Sequence, residues 1–236
     1  MSKNIIIWLA LIAATALLGF VVYEVTYTGD APPDFYLSIG ERGASPGKLL
    51  TPMGAAADAA GNIYVADKGN NRIQKFSPTG KLITLWGTSG SEKNQFNSPM
   101  RIAIDAQGNI YVSDSLNSRI QKFNSQGAYI GEIGSDGSGL GNLHQQIGIC
   151  ISPNGFLYVA DTGNNRIEKF TLDGKFVSAF GQKGSGVGEF ESPWDVAVDS
   201  MENVYVADTF NNRVQKFTLR GQFVGLWGTS GPEKGQ

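Results

Sequence analysis

Short runs of apolar and β-branched residues alternate with turns rich in glycine and asparagine over most of this chain. One pattern recurs four times: an apolar run that ends in Asp, a turn that contains Asn, and a run that begins with Arg and ends with Phe. Short runs separated by turn signals about every 8 to 12 residues are typical of antiparallel strands joined by hairpins. The pattern therefore predicts an all-β chain.

The four copies are equally spaced along the chain. Each contains a Tyr followed by Val, and the residue numbers of these tyrosines differ by 47 at every step: Tyr64, Tyr111, Tyr158 and Tyr205. A strand-rich unit of about 40 to 50 residues copied in series is the pattern of propeller blades, because one unit cannot bury its apolar face alone. The spacing predicts one blade per copy.

Each copy is predicted to hold four strands, named a to d in chain order. Strand a is the apolar run exemplified by Met100 to Asp105, and strand b is exemplified by Asn62 to Asp67. Strand c runs from Arg72 to Phe76 and strand d from Leu82 to Trp86, with counterparts in the other copies. Upstream, Phe35 to Gly40 aligns with the strand d segment Phe176 to Gly181, so an extra N-terminal d strand is expected before the four complete repeats.

The first residues have a different pattern. The run from Ile5 to Val22 is uncharged and about as long as a membrane-spanning helix requires, with Trp8 near one end. Lys3 precedes the run, which predicts a cytoplasmic N-terminus and an extracytoplasmic remainder in a single-pass cell-membrane protein. A cleaved signal peptide is the alternative, although the small-residue triplet Ala14-Thr15-Ala16 lies inside the apolar run. The predicted organisation is an anchor (1–23), a stalk (24–34) and a propeller (35–236).

Composition narrows the function classes. The formal net charge is −2 and the pI is about 5.5, which does not indicate nucleic-acid binding. A single cysteine, Cys150, excludes an internal disulfide framework, and a single histidine, His144, excludes a site that needs two imidazoles from this chain. No catalytic residue, metal site or cofactor is predicted from the pattern.

Charged residues that occur in every copy are interpreted as architecture, because every blade needs them. Each Asp lies at the end of strand b, where its carboxylate is expected to accept backbone N–H bonds across the turn, and the Arg five residues later is placed to pair with it. The structural residues are Asp67 with Arg72, Asp114 with Arg119, Asp161 with Arg166, and Asp208 with Arg213.

Function is expected where the copies differ. The b–c turns and the long d–a loops must emerge at one end of an antiparallel blade, and this end varies most between copies. Leu116 and Phe210 are apolar residues in b–c turns, where solvent is expected. Met100, Arg101, Trp194 and Asp195 open two of the a strands and are predicted to converge at the mouth of a central channel. They form either a ligand or peptide site or a plug of Trp194 and Met100 with solvated charges.

The segment from Ala60 to Phe76 resembles the NHL repeat, whose motif it follows almost residue by residue through Gly61-Asn62-Ile63-Tyr64-Val65-Ala66-Asp67. The resemblance extends over about residues 35 to 231 and implies four-stranded blades around a central axis, commonly six. The chain supplies four repeats, so three interpretations stay open: an incomplete six-bladed propeller, which is favoured, an open arc, or closure with fewer blades.

These observations favour a binding or scaffold module over an enzyme. The expected function is a membrane-tethered, extracytoplasmic propeller that binds a protein or glycan through its variable d–a and b–c loops, with self-association through open blade edges as a further expectation. The alternative, implied by propellers of similar architecture, is a metal-dependent hydrolase or lyase of the gluconolactonase or peptide-amidating-lyase type. RNA binding or ubiquitin-ligase targeting is disfavoured by the acidic charge and by the lack of Cys and His clusters.

Overall fold

The computed structural model describes residues 7–11, 21–25 and 37–231. Residues 54–227 form four antiparallel sheets of four strands, and in each sheet the strand order follows the chain order from a to d. The first two sheets contain Gly54–Ala57, Ile63–Asp67, Arg72–Phe76 and Leu82–Trp86, then Pro99–Ile104, Ile110–Asp114, Arg119–Phe123 and Tyr129–Ile133. The last two contain Ile149–Ile151, Phe156–Asp161, Arg166–Thr171 and Phe176–Phe180, then Pro193–Val198, Val204–Asp208, Arg213–Phe217 and Phe223–Trp227.

Strands b and c of every blade are joined by one short 3-10 turn: Lys68–Asn70, Ser115–Asn117, Thr162–Asn164 and Thr209–Asn211. The residue after each turn has a left-handed backbone, and in three of the four blades it is Asn (Asn71, Asn165 and Asn212). Asn tolerates that conformation better than most residues, which explains why Asn recurs at this turn position of the repeat.

The blades pack face to face through three apolar clusters. In the first cluster, Tyr64 and Ile73 of blade 1 pack against Ile110 and Phe123 of blade 2, all of them fully buried. The second cluster joins blades 2 and 3 and the third joins blades 3 and 4, using residues at the same repeat positions. A single blade leaves its apolar faces exposed to water, and packing against a neighbouring blade buries them. Adjacent copies therefore stabilise one another, as the repeat predicts.

The extra N-terminal d strand is a wrong prediction for the described part of its range, because Leu37 to Gly40 forms no strand. A d strand pairs only with the c strand of its own blade, and no copy of strand c precedes this segment in the sequence. Its packing nevertheless follows the repeat. The Ile39 side chain lies 3.3 Å from the position that a β-carbon on Gly80 would occupy. Trp86, which is equivalent to Ile39 in the next repeat, lies in the same way against Gly127.

The predicted membrane anchor lies largely outside the described residues, as does the predicted stalk from residue 26 onward. Within this region the structure describes two short strands, Ile7–Leu11 and Val21–Val25, which pair in antiparallel register. Among the described residues there is no helix long and apolar enough to span a membrane.

The outward face of blade 4 is apolar and uncovered by any other described residue range. Trp86 of blade 1 is 7% exposed, whereas its counterpart Trp227 is 53% exposed. The same contrast separates Ile73, which is fully buried, from Val214, which is exposed. The face therefore has the composition of an interblade contact without its partner.

Candidate functional site

The d–a loops and the b–c turns lie at the same end of the blades, as the topology predicts. In each copy they are joined by a backbone hydrogen bond from the b–c turn: Gly69 N–H donates to Leu50 O at 2.8 Å, and Phe210 N–H donates to Glu191 O at 3.1 Å. We call this end the loop face; it comprises residues 40–53, 87–98, 134–148 and 181–192 together with the four 3-10 turns.

A buried polar cluster, here called the clasp, fastens each d–a loop to its blade. In blade 1 the Asp67 carboxylate is fully buried and accepts from Arg72 Nε at 2.7 Å and from Asn70 Nδ2 at 2.8 Å. Arg72 Nη2 donates to the loop carbonyls of Ser45 and Lys48 at 3.0 and 2.7 Å. The guanidinium therefore links the blade to the loop through charge-assisted hydrogen bonds.

The prediction that Asp67 accepts backbone N–H bonds across the b–c turn is wrong in its donor. Asp67 Oδ1 accepts from Leu50 N–H of the d–a loop at 2.7 Å, and the side chain does not cap the 3-10 turn. The donor lies 17 residues upstream in the chain, so the long-range contact could not be read from spacing within the motif.

All four blades contain this clasp. The distances from Arg Nε to Asp Oδ2 are 2.7, 3.0, 2.9 and 2.7 Å in blades 1 to 4, for Asp67–Arg72, Asp114–Arg119, Asp161–Arg166 and Asp208–Arg213. Sequence reasoning missed the fourth member of the clasp, which is Gln74, Gln121 or Gln215 in three blades and Glu168 in blade 3. The signal was available, because this position lies two residues after each Arg.

The predicted channel-mouth residues divide into a charged pair and two packing residues. Arg101 Nε lies 3.5 Å from Asp195 Oδ2, and Arg101 Nη1 donates to Met53 O at 2.7 Å. Asp195 is 7% exposed, so its charge is not solvated as the plug alternative expected. Burial raises the pKa of Asp195, and Arg101 opposes that rise. Met100 is buried and Trp194 is half-buried.

The other two predicted residues lie on the surface of the loop face. Leu116 is 54% exposed and Phe210 is 64% exposed, each at the middle of a 3-10 turn. Sequence reasoning missed Leu140 and Val187, which occupy corresponding positions of two d–a loops and are also exposed. Their signal is the pair of sequences Gly139-Leu140-Gly141 and Gly186-Val187-Gly188, where an apolar residue stands between two glycines.

His144 and Cys150 have ordinary surroundings. His144 Nδ1 lies 3.0 Å from Asp136 Oδ1 on the exposed side of the third loop, and Cys150 packs beside the cluster between blades 3 and 4. Within residues 37–231 no group of three or more His, Cys, Asp or Glu side chains could hold a metal ion.

Comparison with known protein families identifies the same repeat and the same type of fold. The NHL repeat model matches residues 49–76 and 96–123, and a family described as a 6-bladed β-propeller matches residues 142–226. The chain is 49% identical to the E3 ubiquitin-protein ligase TRIM71 of Bos taurus over 55 residues, which are 23% of this chain and 6% of that protein. It is 40% identical to NHL repeat-containing protein 3 of Homo sapiens over 55 residues, 23% of this chain and 16% of the relative.

Solved propellers share the fold. A streptogramin B lyase structure superposes with a TM-score of 0.63 at 17% identity, covering 80% of this chain and 57% of that chain. A gluconolactonase from Xanthomonas campestris gives a TM-score of 0.59 at 20% identity, covering 77% of this chain and 63% of the other. At these identities the likeness concerns architecture. The repeat motif, its four-stranded sheets and the family matches together place this chain in the NHL repeat β-propeller family.

Proposed function

We propose that this propeller is a protein-binding module and that its partner contacts the loop face. The observation that carries the proposal is the exposure of apolar side chains where the blades differ. Leu116, Leu140, Val187 and Phe210 all project from loops or turns of that face. Exposed apolar groups on a rigid scaffold are typical of interaction surfaces, because binding removes them from water.

The clasps supply the rigidity that such a surface needs. Each one holds a d–a loop at several backbone atoms, for example through the bonds from Arg213 to Ser185 O, Gly186 O and Glu189 O at 2.6 to 2.9 Å. Loops fixed in this way lose little conformational entropy on binding. The relative TRIM71 is an E3 ubiquitin-protein ligase, and its name specifies a protein as the substrate, which supports a protein partner here; a glycan is the alternative ligand class.

Tethering is a further part of the proposal. The apolar run from Ile5 to Val22 supports a single-pass anchor, with the propeller on the extracytoplasmic side. Protease treatment of intact cells tests this arrangement. Digestion of the repeats without lysis is expected, and full protection until the membrane is opened would contradict it.

The metal-dependent hydrolase or lyase alternative has no specific observation in its favour. The gluconolactonase and lyase structures are below 25% identical to this chain, so their likeness concerns the fold alone. The binding module is therefore the single function proposed.

Paired variants at opposite ends of the blades test the loop face. Leu116→Ser with Phe210→Ser removes two exposed apolar side chains from it. The matched control is Met201→Ser with Leu219→Ser, which changes two exposed apolar residues in turns of the opposite end. In affinity capture with quantitative mass spectrometry, proteins bound by the wild type and the control are expected to fall at least about tenfold with the loop-face variant. Equal capture by both variants, with unchanged circular dichroism, would refute the proposed surface.

A further inference from the structure

The clasp glutamine acts as both acceptor and donor in three blades. In blade 1, Gln74 Oε1 accepts from Gly47 N–H at 2.8 Å, while Gln74 Nε2 donates to Lys48 O at 2.7 Å and to Asp67 Oδ2 at 3.0 Å. Gln121 and Gln215 repeat all three bonds, with distances between 2.6 and 3.2 Å. The amide is therefore satisfied on both sides in a fully buried position.

Blade 3 places Glu168 at this position. Glu168 Oε1 accepts from Gly141 N–H at 3.2 Å and lies 2.8 Å from Arg166 Nη2. Oε2 is buried without a hydrogen-bond partner, and the equivalent amide groups of the other blades donate to a loop carbonyl and to the clasp aspartate. Carboxylate oxygens cannot donate, so an ionised Glu168 leaves this atom among acceptors, which is costly in a buried site.

We propose that Glu168 is protonated in the closed clasp of blade 3, where it replaces glutamine as a donor, and that loss of this proton loosens the loop at residues 134–148. The O–H on Oε2 would supply the missing hydrogen bond toward Asn142 O or Asp161 Oδ2. Control by a proton at this position is specific to blade 3, because the equivalent residue of the other three blades is a glutamine, whose side chain does not titrate.

The surrounding charges support this assignment. Arg166 and Asp161 are the charged groups that face Glu168 from its own strand and from strand b, and its partners across the sheet, Val159 and Ala179, are uncharged. On the loop, His144 and Asp136 pair with each other on the exposed side. The only cation in contact with Glu168 within the described clasp, Arg166, is shared with Asp161, so the two buried carboxylates compete for one guanidinium.

The pKa of Glu168 is raised to about 7, chiefly by burial; Arg166 and the Gly141 N–H oppose this rise, and the charge of Asp161 adds to it. A group whose pKa is higher in the folded state than in the unfolded state stabilises the closed clasp. This contribution is complete below the unfolded-state pKa, about 4.3, and is lost as the pH rises through the folded-state pKa. The clasp of blade 3 should therefore weaken between about pH 4.3 and 7.

Hydrogen exchange on the full chain tests the proposal at single amides. The readouts are Gly141 N–H, which donates to Glu168, and Leu143 N–H, which donates to Ser135 O at 2.9 Å. After correction for intrinsic exchange, their protection in the wild type is expected to fall about tenfold per pH unit across that window. Glu168→Gln should abolish the slope and keep protection high at pH 7.5.

Two further variants separate the carboxyl from other causes. Gln121→Glu transfers the carboxyl to blade 2 and should confer the same slope on Asn94 N–H, which donates to Gln121 Oε1. His144→Gln removes the imidazole carried by the same loop and should leave the wild-type slope in blade 3 unchanged. An unchanged slope in Glu168→Gln, a flat wild-type profile, or a slope lost in His144→Gln would overturn the proposal. Leu140 lies on the same loop, so any effect of the Glu168 proton on partner binding rests on the proposed function. The exchange measurement does not depend on that function.

Discussion

Arg101 and Asp195 form an ion pair, 3.5 Å from Nε to Oδ2, that connects blade 2 with blade 4. Both residues stand at the same repeat position, and in the blade between them that position is Gly148. A β-carbon on Gly148 would lie 2.5 Å from the Asp195 Cα, which no side chain tolerates. The glycine therefore allows the inner strands to approach closely, and the two charges compensate one another inside the protein.

Removing Arg101 is expected to destabilise the propeller. Arg101→Met leaves the Asp195 charge buried without its ion-pair partner, and breaking a buried pair on one side costs about 3 to 5 kcal/mol. Adding Asp195→Asn should restore much of that loss, because the uncompensated charge disappears. Urea unfolding of the single and double variants measures the effect, and equal losses in both would show that the charge pair is not the cause.

The close approach at Gly148 gives a steric prediction. Gly148→Ala should lower the free energy of unfolding by about 1 to 3 kcal/mol, because the added methyl group meets backbone that cannot move aside alone. Gly131→Ala is the matched control, since its β-carbon would meet nothing within 4 Å and its backbone angle is ordinary. That control should be neutral or slightly stabilising. If thermal melting shows the same change for both variants, the contact at Gly148 has no energetic role.

The repeat itself made most of the fold predictable. The bounds of strand c in blade 1, Arg72–Phe76, and of strand d, Leu82–Trp86, agree with the structure because four copies report the same pattern independently. The Asp–Arg spacing likewise anticipated a pair that the structure contains. The segment Leu37 to Gly40 was mispredicted because alignment shows register, whereas a strand also needs a hydrogen-bonding neighbour.

The loop face was less predictable for a physical reason. The Leu50 N–H that donates to Asp67 belongs to a loop whose sequence varies, so its backbone contact leaves no signature in side-chain identity. Leu140 lay in a glycine-rich loop, where composition indicates a turn and says nothing about which side chain is exposed. Glu168 differs from its counterparts by one functional group, and its consequence depends on burial that only the structure shows.

Ion pairs in the clasp should contribute far more than those on the surface. Arg119→Leu leaves the fully buried Asp114 without its cation and is expected to cost about 3 kcal/mol or more. Burial already raises the pKa of Asp114, against the bonds from Asn117, Asn97 and Arg119. The variant's deficit should therefore shrink as the pH falls and Asp114 takes up a proton.

A surface pair provides the contrast for this prediction. Lys175 and Asp173 lie 3.3 Å apart with both side chains well exposed, so Lys175→Leu should leave urea unfolding unchanged at every pH. A pH-independent deficit in Arg119→Leu would mean that lost loop contacts, and not the charge of Asp114, dominate the effect.

The uncovered face of blade 4 predicts self-association of this chain. Val214 and Trp227 occupy positions that are buried between blades in the first copy, and Phe223 beside them is also exposed. Contact between such faces removes apolar area from water at about 25 cal/mol per Å². In sedimentation velocity, the wild type is expected to show an apparent mass that rises with concentration, and Val214→Lys with Trp227→Lys should reduce this rise.

Ile130→Lys is the control, because Ile130 is an exposed residue of strand d on an interior blade. Association caused by the apolar N-terminal run would persist in both variants. If the blade 4 variant and the control associate alike, the face of blade 4 does not drive the contact.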